Sequence, residues 1–266
     1  MLPIKELTRA SAQDIQFVLS DIDDTMTENG KLPACAYQAL WELKEAGIKV
    51  IPVTGRPAGW CDLIARQWPV DAVVGENGAL IYYEENGVLK EIINPQVADT
   101  RISEKLTKIR NDVLSRVPQT RIAKDQAYRR FDLAIDFAEE EPKLSLSEAK
   151  KIQDIFHEHG AEAKISSIHV NGWFGEYDKL SMTKILFKAL WAIDLDNAKE
   201  KVLFCGDSPN DEPMFAYFPI SCGVANIREF VSLLHSPPAY ISDQEAGQGF
   251  AECVVHLLSL RNQTSP

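Results

Sequence analysis

The sequence predicts an α/β protein with a doubly wound parallel sheet and an inserted α+β domain. Two observations predict this fold. In both terminal parts of the chain, short apolar runs alternate with amphipathic helical segments, and strands separated by helices form parallel sheets. In the middle part, residues 131–137 alternate large apolar side chains with polar or small ones, which is typical of a strand with one open face. We therefore assign residues 1–83 and 175–266 to the core and residues 84–174 to the insert.

The first part of the chain begins with a predicted strand at residues 15–19. The helix predicted at 33–46 begins at a proline, which suits a first helical turn, and ends before Gly47, which suits a helix stop. The remaining predicted elements are a strand at 48–53, a helix at 58–68, a strand at 72–74 and a hairpin formed by 79–83 and 88–93.

The insert is predicted to contain two helices and two strands. Apolar residues recur at helical spacing over residues 101–117, beginning at Ile102, and again over 147–159. Strands are predicted at 131–137 and 164–170.

The last part of the chain returns to the alternation of helices and strands. A helix that places Met182 and Leu186 inward leads to the apolar strand at 202–205. The elements predicted after it are a helix at 213–217, a strand at 220–224, a helix from Asn226, a strand at 240–241 and a helix at 250–260.

The composition argues against several classes of function. The chain has 28 Lys and Arg against 39 Asp and Glu, a net charge of −11, which opposes binding to nucleic acid or an anionic membrane. Its five cysteines include no Cys-x-x-Cys pair, so neither a zinc site nor a disulfide framework is predicted. No signal peptide or membrane helix is predicted, and the cytoplasm is the expected location. Homo-oligomerisation is left open.

Acidic residues crowd immediately after the first predicted strand. Asp21 and Asp23 lie two apart, so they share one face of an extended chain, and Asp24 follows at once. Three acids this close repel one another unless a cation or a shared proton compensates. We therefore predict a metal site with one carboxylate free to act as a nucleophile. The alternative is an ordinary acidic loop in which Asp24 or Thr25 caps a helix.

Polar loops also follow two further predicted strands. Thr54 and Gly55 come after the strand at 48–53, and Asp207 and Asp211 come after the strand at 202–205. Ligands of open parallel sheets bind beyond the carboxyl ends of the strands, so these loops are expected to converge. Together they offer acids for a divalent cation, a hydroxyl beside backbone amides, and a lysine. This combination suits a phosphate ester that is held by Mg²⁺ and attacked by a carboxylate.

Four motifs, in this order along the chain, resemble those of the haloacid dehalogenase superfamily. They are Asp-Ile-Asp-Asp-Thr at 21–25, Val-Thr-Gly-Arg at 53–56, Lys179, and Gly-Asp-Ser-Pro-Asn-Asp at 206–211. The resemblance covers nearly the whole chain and implies a Rossmann-like core. The insert resembles the type IIB cap, a subclass that includes mannosyl-3-phosphoglycerate, sucrose-phosphate and phosphoglycolate phosphatases and the α-phosphomannomutases.

The resemblance implies a role for each acid of the motifs. Asp21 would be the nucleophile that accepts the phosphoryl group. Asp23 would protonate the leaving alcohol and then activate water as a base. The side chains of Asp21 and Asp207 and the main-chain carbonyl of Asp23 would bind Mg²⁺. Asp211 would lie close behind or be a ligand through water.

The resemblance also implies which residues hold the phosphate oxygens. Thr54 and Gly55 would do so from one loop, and Lys179 from another. Lys184 is the rival of Lys179. We prefer Lys179 because it lies at a loop–helix junction, whereas Lys184 lies inside the helix, where a lysine is most often solvated. Asp24 stands where many relatives have glycine and is given no catalytic role.

The insert is expected to select the substrate. Candidates for binding a substrate carboxylate or sugar hydroxyls border its predicted strands, and they are Arg129, Arg130, His169 and Asn171. The alternative for each is a solvated strand end. The resemblance adds Asn77, just before the insert, as a substrate contact, with a simple turn as its alternative.

The predicted function is that of a Mg²⁺-dependent phosphatase. Its substrate would be a small phosphorylated metabolite, either a sugar phosphate or a phosphoglycerate-like ester, hydrolysed through an aspartyl-phosphate. One alternative is a phosphomutase of the same superfamily, for which only Arg129 and Arg130 offer the basic cap residues required. Another is a non-catalytic protein that binds a phosphometabolite, which we would expect to lack Asp21 or Asp23.

Overall fold

A six-stranded sheet, in which every pair of neighbours runs parallel, forms the centre of the molecule. The computed structural model describes residues 1–97 and 104–262. In order across the sheet, with strands numbered along the chain, its members are Leu2–Pro3 (β1), Tyr240–Ile241 (β13), Ser221–Gly223 (β12), Val202–Gly206 (β11), Phe17–Ser20 (β2) and Lys49–Pro52 (β3). The predicted parallel sheet is therefore confirmed.

Helices cover both faces of this sheet. They are Arg9–Asp14 (α1), Ala34–Glu45 (α2), Ala58–Gln67 (α3), Lys179–Trp191 (α6), Glu212–Tyr217 (α7) and Ala246–Asn262 (α8). Val18 of β2 packs in a cluster with α2 and α8, whereas Phe17 and Leu19 pack in a second cluster with α6 and α7. Because both faces are buried, the central strands are continuous apolar runs rather than alternating ones.

A small antiparallel sheet extends the core beyond β3. Its strands are Val73–Gly75 (β4), Leu80–Glu85 (β5) and Val88–Ile93 (β6), in that order. Val53 forms a parallel bridge to Val74, which joins this sheet to the end of β3. The predicted boundary between residues 83 and 84 falls within β5, and the domain boundaries stay a prediction.

A four-stranded antiparallel sheet with two helices on one face forms a separate layer, here called the cap. Across the sheet the strands are Arg121–Ile122 (β7), Leu133–Asp136 (β8), His169–Trp173 (β10) and Glu162–Ile165 (β9), and the helices are Glu104–Arg116 (α4) and Leu146–Glu158 (α5). Ile135, Val170 and Ala163 pack against the helices in one apolar cluster. The opposite face carries polar side chains, as the alternation in the sequence predicts, and the α+β insert is confirmed.

The cap differs from the prediction at one strand. The single strand predicted at 164–170 is wrong, because the chain reverses there and forms the hairpin of β9 and β10. Ser166 makes the reversal: its amide donates to the His169 carbonyl at 2.8 Å, and its hydroxyl accepts from the His169 amide at 3.0 Å. Apolar residues alternate on both sides of this turn, up to Ile165 and again from Ile168, and the Ser166–Ser167 pair shifts the alternation by one position. Ile102 of the predicted helix at 101–117 lies outside the described residues.

Two further observations complete the fold. The helix predicted from Asn226 is a 3-10 helix spanning Ala225–Leu233. Across residues 1–97 and 104–262, no helix combines the length and the apolar character that crossing a membrane requires.

Candidate active site

Three carboxylates and one lysine meet at the carboxyl end of the parallel sheet. Oxygens of Asp21, Asp207 and Asp211 all lie within 4.8 Å of one another. The Lys179 ammonium donates to Asp21 Oδ1 and to Asp211 Oδ1, each at 2.6 Å. All four side chains are buried. The topology brings them together because Asp21 lies just beyond β2, Asp207 just beyond β11, and Lys179 at the start of α6.

The charges at this cluster do not balance. Burial raises the pKa of Asp21 to about 8 against the opposing attraction of Lys179. Burial, with Asp21 and Asp211 close by, raises the pKa of Asp207 well above its usual range. Burial would lower the pKa of Lys179, but Asp21 and Asp211 outweigh it and raise that pKa. Three buried acids with one ammonium form an oxygen-rich, electron-rich site that fits a small divalent cation such as Mg²⁺.

Hydrogen bonds fix the orientation of Asp207. Thr25 Oγ1 donates to Asp207 Oδ1 at 3.0 Å, and Asn226 Nδ2 lies 3.4 Å from Asp207 Oδ2. The same Asn226 amide donates to the Asp24 carbonyl at 2.9 Å. Asp24 therefore supports the site through its backbone, and its carboxylate is not part of the three-acid cluster.

Asp211 is held by its own loop. Its Oδ2 accepts from the amides of Asp207 at 3.1 Å and Ser208 at 3.4 Å. A Cβ at position 206 would lie 2.6 Å from the same oxygen, so glycine is required there. Asp211 thus both shapes the loop and bonds Lys179, a geometry that the Gly-Asp-Ser-Pro-Asn-Asp motif supplies locally.

The Thr54 loop lies against Asn77. Thr54 is buried, and its Oγ1 accepts from the Arg56 amide at 3.0 Å. A Cβ at Gly55 would lie 3.1 Å from both polar atoms of the Asn77 side chain. Asn77 has φ of +54°, and its buried Nδ2 has no hydrogen-bond partner within the described chain. Asn77 therefore borders the predicted phosphate loop with an unsatisfied donor.

Arg56 links Asp23 to the cap. Its Nε donates to both oxygens of Asp23 at 2.9 Å, and its Nη2 donates to Glu139 Oε1 at 2.8 Å. Nη1 lies 3.3 Å from Asp125 Oδ2, and the guanidinium stacks over Trp60. Arg56 is the last residue of the Val-Thr-Gly-Arg motif, but no role was predicted for it. The signal that could have identified Arg56 is its position directly after Gly55 in the loop. Glu139 and Asp125 were not predicted either.

His169 and Asn171 line the same small cavity as Asp21 and Asp23. His169 Nε2 lies 2.8 Å from Glu139 Oε2, and Asn171 Nδ2 donates to Asp132 Oδ2 at 2.8 Å. The cavity has a volume of about 10 Å³, which is room for about one water molecule. Its walls are formed by Asp21, Asp23, Gly55, Arg56, Ser166, Ile168, His169, Asn171 and Asn210.

Arg129 and Arg130 do not line this cavity. The buried Arg129 guanidinium is held by Asp125 and Asp132, and it donates to the Gly55 carbonyl at 2.8 Å. Arg130 points to the small antiparallel sheet, where it pairs with Glu91. Arg129 therefore joins the cap to the Thr54 loop, and neither guanidinium lines the cavity that contains Asp21 and Asp23.

The two candidate lysines have different environments. Lys179 is buried in the acidic cluster, as described above. Lys184 is partly exposed, pairs with Asp196 at 2.8 Å and lies over the Tyr217 ring. Of the two, only Lys179 lies in the cluster with Asp21 and Asp211.

Glu76 is a buried acid that the sequence analysis missed. It has φ of +44° and is fully inaccessible to solvent. Its Oε1 accepts from the amides of Ala58 and Arg130, each at 2.9 Å, and its Oε2 accepts from the Phe131 amide at 2.7 Å. One carboxylate therefore ties the start of α3 to the cap. Glu76 directly precedes Asn77, for which a substrate contact is predicted with a simple turn as the alternative, but no role is predicted for Glu76 itself.

Glu76→Gln is expected to flatten the pH dependence of stability. Burial, with Asp132 nearby, raises the pKa of Glu76 from about 4.5 to about 7, although the amides of Ala58 and Arg130 oppose the rise. Between these values the folded state binds more protons than the unfolded state. The free energy of unfolding therefore falls as pH rises, by up to about 1.4 kcal/mol per pH unit from this group.

Urea unfolding of both proteins at pH 5, 6 and 7 measures this effect. The glutamine variant does not titrate, and it presents an amide NH₂ to backbone donors, so we expect it to be less stable than the wild type. The difference in the free energy of unfolding between the two proteins should narrow as pH rises, because only the wild type loses stability through this group. Glu84→Gln, on the exposed part of β5, is the matched control and should follow the wild type. A margin that is constant across the three pH values would contradict this assignment.

Comparison with known proteins identifies one family. Its profile, described as haloacid dehalogenase-like hydrolase, matches residues 18–157, which is more than half of the chain. Among proteins of curated function, none matches the sequence significantly.

Solved structures share the fold over nearly their whole length. A protein of Thermoplasma acidophilum has a TM-score of 0.67 at 18% identity, covering 92% of this chain and 99% of its own. A sugar phosphatase of haloacid dehalogenase subclass IIB has 0.62 at 13% identity, covering 92% and 99%. The sucrose-phosphatase of Synechocystis, solved with sucrose and phosphate, has 0.59 at 18% identity, covering 91% and 98%. At these identities the similarity concerns the fold, including its cap.

Proposed function

Because this chain belongs to the haloacid dehalogenase-like hydrolases, as its motifs predicted, we propose that it is a phosphatase of small phosphorylated metabolites. The observation that carries the proposal is the buried cluster in which Lys179 bridges Asp21 and Asp211 beside Asp207. Asp23 lies in the same cavity as Asp21. A nucleophile, a proton carrier and a cation for phosphate oxygens are thus within one site.

Asp21 and Asp23 would together carry out the hydrolysis of the phosphate ester. A carboxylate oxygen of Asp21 attacks phosphorus, and the bond from phosphorus to the leaving oxygen breaks. Asp23 gives its proton to that oxygen, which leaves as an alcohol. Asp23 then takes a proton from water as the water attacks the aspartyl-phosphate, which releases phosphate and restores Asp21. Arg56 holds both oxygens of Asp23 and so orients the proton carrier.

The chain's own polar groups would position the phosphate. Lys179 offers a buried ammonium, Thr54 a hydroxyl, and Gly55 a backbone amide in a loop that leads out of β3. The unsatisfied Asn77 Nδ2 beside Gly55 supports a further contact, either to a phosphate oxygen or to the substrate. Phosphoryl transfer depends mainly on such positioning and on neutralisation of charge.

Mg²⁺ fits the acidic cluster described above. The side chains of Asp21 and Asp207 and the main-chain carbonyl of Asp23 would hold it, with Asp211 behind them. When bound, the cation supplies the positive charge that lets a carboxylate approach a phosphate dianion. Asp211 already bonds Lys179 and two backbone amides, which suits a supporting position.

The environment of the cap favours hydrolysis over transfer within a sugar. A phosphomutase must rebind a bisphosphorylated intermediate in two orientations, and neither cap arginine is placed for this, because Arg129 is enclosed by Asp125 and Asp132 and Arg130 pairs outside the cavity. The presence of both Asp21 and Asp23 supports an enzyme rather than a non-catalytic binding protein. We propose a sugar phosphate or a phosphoglycerate-like ester as the substrate class, consistent with the sugar-phosphatase and sucrose-phosphatase structures that share the fold.

A phosphate-release screen tests the proposal. We expect Mg²⁺-dependent release of inorganic phosphate from at least one phosphorylated metabolite and from p-nitrophenyl phosphate, with loss of activity in EDTA. An isomeric phosphate product without free phosphate would indicate the mutase instead. Absence of phosphate release from every ester would refute the assignment.

A further inference from the structure

The polar face of the cap sheet carries a lysine next to the catalytic cavity. In the antiparallel pairing of β10 with β9, Lys164 lies directly opposite Asn171. Directly paired residues place their side chains on the same face of a sheet, about 5 Å apart. Asn171 lines the cavity that contains Asp21 and Asp23. Lys164 therefore lies one strand further out on the face that covers the active site.

Lys164 lines a larger cleft that adjoins this cavity. The cleft has a volume of about 600 Å³, a size that suits a small ligand. It is formed by α5 and β9 of the cap and by the loops that follow β11 and β12 in the core. Asn210 borders both the cleft and the catalytic cavity. The part of a substrate that projects away from its scissile phosphate would extend into this cleft.

Most other basic side chains around the site already bind acids. Carboxylates of the chain bind Lys179, Arg56, Arg129, His169 and Lys150. Lys164 is half-buried, and its ammonium has no hydrogen-bond or ion-pair partner within residues 1–97 and 104–262. Lys143 also lacks an ion-pair partner there, but it is exposed and its charge acts on Asp24. Lys164 is thus a cation that faces the substrate cleft with its charge available.

The acids of the cleft lie on the core side. Glu212 accepts from the Ser236 amide at 2.6 Å, and Glu229 belongs to the 3-10 helix after β12. These acids disfavour an anion near the core wall and leave the cap wall, at Lys164, as the place for one.

We infer that Lys164 binds a second anionic group of the substrate, a carboxylate or a second phosphate, so that the preferred substrates carry two anionic groups. The inference rests on the proposed phosphatase function and narrows its substrate class. The phosphate ester of an uncharged sugar would leave the Lys164 ammonium without a counter-charge, whereas a phosphorylated hydroxy acid would supply a carboxylate to pair with it.

Matched pairs of esters test the inference. Two carboxylate pairs are 3-phosphoglycerate with glycerol 3-phosphate and 6-phosphogluconate with glucitol 6-phosphate. A phosphate pair is glucose 1,6-bisphosphate with glucose 6-phosphate. We expect the wild type to prefer the more anionic member of at least one pair by about tenfold or more in kcat/KM, the usual scale of a hydrogen bond to a charged group. The pair that shows the preference identifies the anion.

Lys164→Met should remove this preference by raising KM for the more anionic ester while leaving kcat and the less anionic ester within about twofold. Lys150→Met is the matched control, because Lys150 lines the same cleft but pairs with Asp154 at 3.0 Å, and it should keep the preference.

Two results would overturn the inference alone. They are hydrolysis of p-nitrophenyl phosphate without a preference in any pair, and a preference that survives Lys164→Met. Lack of phosphate release from p-nitrophenyl phosphate and from every ester of the pairs would overturn both the inference and the proposed phosphatase function.

Discussion

Asp21→Asn is expected to abolish phosphate release while the protein stays folded. An amide cannot form the aspartyl-phosphate, so we expect turnover to fall by about 10³-fold or more. The substitution keeps the shape of the side chain, removes one of three buried, mutually repelling acids, and leaves Lys179 paired with Asp211. Its effect on the thermal midpoint is therefore expected to be small or stabilising. Phosphate release and circular dichroism measure the two effects separately.

Asp24→Asn is the matched control for Asp21→Asn. Asp24 lies three positions away and supports Asn226 through its carbonyl, which the substitution retains. Its carboxylate lies outside the three-acid cluster, so turnover should stay within a few-fold of the wild type. Substantial hydrolysis by Asp21→Asn, above the level of a reagent blank, would refute the role of Asp21 as nucleophile.

Lys179→Met is expected to impair both stability and turnover. It leaves Asp21 and Asp211 without their shared ammonium in a buried site, and breaking a buried ion pair costs about 3–5 kcal/mol. Removing one positioned donor to a reacting oxyanion typically lowers kcat by about 10²–10³-fold. The loss of stability should be smaller in Mg²⁺ than in EDTA, because a bound cation offsets the same charge. Thermal unfolding in each buffer measures this difference.

Lys184→Met tests the rival lysine on the same helix. Lys184 forms a surface pair with Asp196, and such pairs contribute about 0–1 kcal/mol. Activity should be retained and stability should change little, with no dependence on Mg²⁺. Equal losses in the two variants would contradict the choice of Lys179.

The sequence was sufficient for the core of the fold because its signals are local. A strand such as β2 is apolar throughout since both of its faces are buried, and each helix between strands has its own periodicity. The hairpin of β9 and β10 was missed although the Ser166–Ser167 pair shifts the alternation of apolar residues by one position at its turn. No glycine or proline marks that turn, and two serines are a weaker turn signal.

The candidate site was predictable where its residues lie in compact motifs. Asp21 and Asp207 follow strands whose positions the apolar runs already indicate. The interface with the cap was not predictable in this way, because its contacts join residues far apart in the chain. Arg56 meets Glu139, which lies 83 positions later, and Glu76 meets Phe131, which lies 55 positions later. Only the three-dimensional arrangement assigns these partners, and it also shows that Arg129 faces acids of its own domain.

The cavity between the cap and the core has a consequence for the catalytic cycle. With a volume of about 10 Å³ it has room for about one water molecule, so a phosphate ester can occupy it only if the cap and the core move apart. Glu76 and the bond from Arg129 to Gly55 join the cap to the core, whereas Asn210 lines both the cavity and the cleft of about 600 Å³. None of the bonding residues lines that cleft. A movement that separates the cap from the core at Glu76 would therefore break several backbone hydrogen bonds together, and the cleft contributes none of them.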